Sequence, residues 1–152
     1  MCTSFKADLL NGLHAFGASV IRAATTKDTF NAALYLASGS LGAATTAYSA
    51  TSEVSGTNYV AGGVAVTNAT APIATNSSAT AGVAYWTPSA SITYTTVTLT
   101  TAFDAVLIYN STQSNKAVSV HTFGSQTITA GTFTLTMPSN TTSTALLRLS
   151  TT

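Results

Sequence analysis

The spacing of apolar positions along this chain changes character once, near residue 17. In Ser4-Phe5-Lys6-Ala7-Asp8-Leu9-Leu10-Asn11-Gly12-Leu13-His14-Ala15-Phe16 the apolar residues at 5, 9, 13 and 16 recur at helical spacing. Thr3 or Ser4 supplies an N-cap, and Asp8 lies near the favourable end of the helix dipole. Gly12 costs such a helix about 1 kcal/mol relative to alanine, and Gly17 is a natural stop. The spacing predicts a short amphipathic helix over roughly residues 4–15. Residues 1–17 then form an N-terminal anchor ahead of a β domain over residues 18–152.

From residue 18 onward the period is two. Phe30, Ala32, Leu34 and Leu36 share one face of the stretch Thr29 to Ala37, with Asn31, Ala33 and Tyr35 on the other. Further strands are expected at Ala18–Ala23, Tyr59–Asn68, Gly82–Thr87, Ile92–Leu99, Ala105–Asn110, Ala117–Phe123, Gly131–Met137 and Leu146–Leu149. Small polar residues at 111–115 set a hairpin between Phe103–Asn110 and Lys116–Phe123, and Ala130-Gly131 suggests a second hairpin turn. Residues 38–57 and 69–81, rich in Ala, Ser, Thr and Gly, read as long loops. The pattern predicts an all-β fold: an antiparallel β-sandwich, jelly-roll-like or Ig-like, with one short N-terminal helix. Phe30, Leu34, Leu36, Val106, Ile108, Val118, Val120, Phe133 and Leu135 are its expected core.

Charge changes the picture. The 152 residues include only five basic and four acidic side chains, 6% of the chain, where soluble domains carry about 25%. Thr, Ser and Ala take their place, so little repulsion keeps copies apart. The composition favours a surface covered by copies of the same chain or by a partner, and a homo-oligomer is expected. The scattered Lys6, Arg22, Lys27, Lys116 and Arg148 make no basic patch, which argues against nucleic-acid binding. No stretch approaches the ~20 apolar residues of a membrane helix, so no membrane partner is expected. Only Met1 precedes Cys2, the single cysteine, which gives neither an intrachain disulfide nor a signal segment; synthesis in the cytoplasm is expected.

Candidate chemistry is sparse. His121, Asp104 and one of many serines compose a Ser-His-Asp set on paper, but no nucleophile elbow accompanies them. Two histidines and four acids show no metal-ligand spacing. Gly62-Gly63 lacks a phosphate-loop frame and reads as a bulge or bend in an edge strand. Asn68, Asn76, Asn110 and Asn140 head chance glycosylation sequons. Tyr85, Trp86, Tyr94, Phe103 and Tyr109 could form a sugar-stacking platform, but core or interface packing is the favoured reading. We therefore expect a non-enzymatic protein with no catalytic, cofactor-binding or metal residues. Its candidate assembly contacts are Phe5, Leu9, Leu10, Leu13 and Phe16.

Read end to end, the chain resembles a family of small tailed-bacteriophage virion proteins. The matching pieces are Ser4 to His14, Asp28-Thr29-Phe30-Asn31-Ala32-Ala33-Leu34-Tyr35, Thr46-Ala47-Tyr48, Glu53 to Gly63 and Ala105-Val106-Leu107-Ile108-Tyr109-Asn110. Glu53 to Gly63 is the most specific of them, and Gly17 to Lys27 departs from the pattern as an extra segment. The resemblance implies a virion component. The leading expectation is a capsid decoration or cement protein that binds the major capsid protein lattice as an oligomer, a trimer where the lattice offers threefold axes. The alternative is a tail, neck or fibre-associated component, including a receptor- or glycan-binding module.

Overall fold

A computed structural model describes residues 13–16, 27–69, 72–75 and 83–150. Most of the helix expected over 4–15, and all of the strand expected at Ala18–Ala23, lie outside the described residues. Residues 13–16 are irregular, so that helix does not extend through them. The Ala15 N–H, which a helix would direct to the carbonyl four residues back, instead donates to Asp28 Oδ2 at 2.9 Å.

Seven strands are described: β1 (Phe30–Leu36), β2 (Val64–Ala65), β3 (Ile73–Thr75), β4 (Val83–Trp86), β5 (Ile92–Asn110), β6 (Lys116–Leu135) and β7 (Leu147–Ser150). They form a four-stranded sheet in the order β2-β1-β5-β6 and a three-stranded sheet in the order β3-β4-β7. Every pairing is antiparallel. Among the described residues there is no helix, and the fold is all-β.

The β5–β6 hairpin dominates the chain. Its turn falls at the small polar residues after Asn110, as their composition predicts. The strand pairs expected as separate hairpins are fused, however. Gly131 pairs with Val97 and Thr134 with Thr93 in one continuous ladder, so Ala130-Gly131 is not a hairpin turn. Instead Ala130 adopts φ 48° and its N–H donates to Thr98 Oγ1 at 2.9 Å, giving an irregularity that lets β6 continue. The expected loop over 69–81 likewise contains β3, which pairs Ile73 with Tyr85.

This hairpin bends back over itself. The rings of Phe123 and Phe133 are 5.3 Å apart although ten residues separate them on β6. Ten extended residues would span about 33 Å. Phe103 meets Phe133 edge-on at 5.2 Å, which joins the middle of β5 to the far end of β6. Register shifts at Tyr94/Val97, Val97/Leu99, Leu99/Phe103 and Phe103/Ala105 supply the curvature. Thr96, at φ 52°, sits within the first of them.

The buried side chains form one core cluster. Phe30, Leu34, Val106, Ile108 and Val118 are buried as expected, while Leu36, Val120, Phe133 and Leu135 are partly buried and packed against them. Ala33 and Tyr35 are buried too, so β1 is covered on both faces and does not alternate between core and solvent. Fully burying one such side chain contributes roughly 1.5–3 kcal/mol.

Candidate functional site

The most concentrated polar chemistry lies along the edge of β1 that β5 leaves open. β2 covers the first part of that edge, pairing at Asn31 and Ala32. Beyond it, tyrosine hydroxyls take the place of a strand: Tyr94 donates to the Ala32 carbonyl at 2.7 Å, and the Leu34 N–H donates to Tyr59 Oη at 3.0 Å. The segment at Ser52–Val54 then resumes the pairing, with Val54 N–H to the Leu34 carbonyl at 3.0 Å and Leu36 N–H to the Ser52 carbonyl at 2.9 Å.

Glu53 organises this edge. Its Oε1 accepts from Tyr59 Oη and from the Gly62 N–H, both at 2.7 Å, and its Oε2 accepts from Tyr48 Oη at 2.7 Å. Tyr109 stacks on Tyr48 at 4.7 Å and donates to the Gly62 carbonyl at 2.8 Å. Gly62 and Gly63 form the turn that delivers these backbone groups, with φ 90° and 74°. A Cβ on Gly63 would overlap the Ala32 carbonyl oxygen, so glycine is required by close approach as well as by conformation. The expected bend of an edge strand is thus a turn immediately ahead of β2. Burial pushes the Tyr35 hydroxyl up to about 12 and, with the Glu53 carboxylate, holds those of Tyr48, Tyr59, Tyr94 and Tyr109 above their ordinary value. These phenols are structural donors.

A second cluster ties the N-terminal segment to the hairpin turn. Asp28 Oδ2 accepts from Ala15 N–H at 2.9 Å and from Asn110 Nδ2 at 2.8 Å, and Oδ1 accepts from Gln113 Nε2 at 3.3 Å. Asn110 Oδ1 caps the turn by accepting from Thr112 and Gln113 N–H, which fixes its Nδ2 as the donor. That nitrogen lies 3.0 Å from His14 Nδ1. Since the amide can only donate there, His14 is the neutral tautomer with its proton on Nε2. Asp28, Asn110 and His14 are all buried.

The imagined Ser-His-Asp set does not assemble. His121 Nε2 is 2.9 Å from Ser119 Oγ, but Ser119 is fully buried, and among the described residues no hydrogen bond joins Asp104 to either. Burial holds His121 below its ordinary pKa, so it is neutral at pH 7. Among the described residues no group of three or more His, Cys, Asp or Glu side chains gathers as metal ligands. Trp86, Tyr94, Phe103 and Tyr109 are buried and form no exposed sugar-stacking platform. The sequon residues Asn68 and Asn110 are buried as well.

Of the candidate assembly contacts, Phe5, Leu9 and Leu10 lie outside the described residues. Leu13 is half-buried. Phe16 packs inside its own chain, 4.9 Å from both Phe30 and Trp86. It lines one end of an apolar cleft of about 180 Å³, with Trp86, Leu147 and Leu149 on its walls. A different cleft, of about 340 Å³, is lined by Ser38, Ser40, Thr45, Ser49, Thr51 and Ser52 together with Tyr35, Leu41 and Ala47. Sequence reasoning missed the Glu53–tyrosine edge because its members are spread from Leu34 to Tyr109. The signal that marks it is an acid, tyrosines and Gly62-Gly63 within one uncharged segment.

No protein-family model matches the chain, and no curated protein or solved structure is significantly similar to it.

Proposed function

We propose that this protein is a non-enzymatic structural subunit of a bacteriophage virion, a capsid decoration or cement protein bound as a homo-oligomer to the major capsid lattice. The observation that carries the reading is where the scarce acids go. Of four in the chain, Asp28 and Glu53 accept hydrogen bonds from backbone amides and neighbouring side chains, holding the segment at 13–16 and the loop at 48–62 in place. Reactive groups spent on architecture, together with very low charge, suit a protein that endures in an assembly. The two sheets and the doubled hairpin are read as a β-sandwich. Phe16 is committed to the core, so anchoring falls to Phe5, Leu9, Leu10 and the half-buried Leu13. Many copies multiply a modest affinity per site.

The test is cryo-EM of intact particles carrying either the full chain or a chain lacking residues 3–12. Density for the full chain on the outer capsid face, lost with the truncation, is the expected result. Density at the tail or neck overturns decoration, and full occupancy by the truncated chain overturns the anchor.

The cleft lined by serines and threonines favours a second reading, a tail- or fibre-associated module that binds host glycan. The serines and threonines among its lining residues suit a polyol ligand. Glycan-array binding that disappears on substitution of Ser38 and Thr45 by valine would support it.

A further inference from the structure

A third cleft, of about 200 Å³, lies along the β5–β6 hairpin, where the chain leaves β6. Ile108 of β5, Phe123 and Leu135 of β6, and Leu146 give it apolar walls. These residues belong to the continuously described stretch 83–150, which sets this cleft apart from the one beside Phe16, where Pro72 adjoins residues outside the described ones. Its polar lining residues are His121 and the exposed Thr122 and Thr136, and none of its lining residues is charged. His121 Nε2 is 2.9 Å from Ser119 Oγ, and among the described residues Nδ1 has no hydrogen-bond partner.

We infer that this cleft binds a small neutral molecule of the phenol class, its single ring among Ile108, Phe123, Leu135 and Leu146 and its hydroxyl on His121 Nδ1. Size, charge and hydrogen bonding each narrow the choice. An apolar cavity of about 150 Å³ admits benzene, whereas drug-sized ligands occupy about 300 Å³ or more, so the volume selects one ring. Phe123 offers that ring an aromatic contact. A carboxylate or an ammonium group would lose its hydration here and find no counter-charge. The Ser119 hydroxyl is fully buried and either donates to His121 Nε2 or accepts from it, which leaves Nδ1 as a donor or an acceptor accordingly. A ligand hydroxyl complements both tautomers, whereas an ether or a ketone complements only one. The inference is independent of the proposed virion role.

The test is amide NMR of the isotopically labelled full chain, titrated with phenol and, separately, with benzene. Both probes should shift the amides of Ile108, His121 and Leu135 saturably, with dissociation constants of about a millimolar or tighter. His121→Leu removes the hydrogen-bonding nitrogen and keeps an apolar wall. It should weaken phenol by about fivefold or more and leave benzene binding largely unchanged. Leu146→Trp fills the cleft and should abolish binding of both probes. Circular dichroism checks that each variant remains β-rich. No saturable shift in the wild type, shifts centred elsewhere on the molecule, or a His121→Leu variant that treats the two probes alike overturns the inference.

Discussion

Tyr59 donates its hydroxyl proton to Glu53 Oε1 at 2.7 Å while accepting the Leu34 N–H at 3.0 Å. One phenol thus closes an open strand edge and anchors the carboxylate that orders the loop beyond it. Glu53 also accepts from Tyr48 and Gly62, so a single acid ties together the two ends of the loop at 48–62.

Removing either end of that bond should be costly. Tyr59→Phe leaves the Leu34 N–H without its acceptor and removes a donor from Glu53, and should lower stability by about 2–3 kcal/mol. Glu53→Gln presents an amide NH₂ where a donor now points and should cost about 2 kcal/mol. Urea unfolding midpoints measure both. A loss below about 0.5 kcal/mol for Tyr59→Phe would show that the edge has another closure.

The buried tyrosines give the fold an alkaline limit. Their pKa values are raised in the folded state, so the stability they contribute is fully present below about pH 10 and is lost as pH climbs through the folded values. Phenolate absorbance should rise little before unfolding and then appear in step with the loss of β-sheet ellipticity.

At the acidic end His121 acts in the opposite sense. Its folded pKa is lowered by burial, so protonation favours the unfolded chain. Stability should fall as pH drops below about 6.5. His121→Gln should flatten that part of the stability–pH curve, measured by urea midpoints from pH 7 downward.

Asp28 holds the Phe16 segment against the core, and Trp86 is the chain's single tryptophan. Asp28→Ala removes the acceptor for Ala15 N–H and Asn110 Nδ2, and should expose Trp86 as Phe16 detaches. A red-shifted tryptophan emission with retained β-sheet ellipticity is the expected outcome, with about 2–4 kcal/mol of stability lost.

Thr96 is a β-branched residue held at φ 52°, exposed, with its carbonyl accepting from Asn58 Nδ2 at 2.9 Å. Glycine adopts that conformation without steric cost. Thr96→Gly should therefore raise stability by about 0.5–1 kcal/mol, in contrast to the usual effect of glycine within a strand.

The local periodicity made much of this fold legible. Phe30–Leu36 and Val83–Trp86 carry strand patterns, and the polar run after Asn110 marks the turn between β5 and β6. What the sequence hid is long-range. Nothing local shows that Ile92–Leu99 and Ala105–Asn110 are one bent strand, because the bend depends on register shifts against β6. Ala130-Gly131 has turn chemistry, yet the opposing ladder through Val97 and Thr93 keeps β6 extended. Leu13 and Phe16 fit a helical stripe, but Asp28 and Trp86 recruit that segment to the core. Glu53, Tyr48 and Tyr59 are close in sequence, whereas the β1 edge at Ala32 and Leu34 and the rings of Tyr94 and Tyr109 reach them only by folding.

The proposed structural role stands or falls most directly on abundance. Under that proposal the chain is carried by phage particles, and purified particles should be analysed by quantitative mass spectrometry, with the count of this chain referred to that of the major capsid protein. A decoration subunit should be present at hundreds of copies per particle, in fixed ratio to the lattice. Absence from washed particles would contradict a virion role altogether, and a few to dozens of copies would move the protein to the tail or neck.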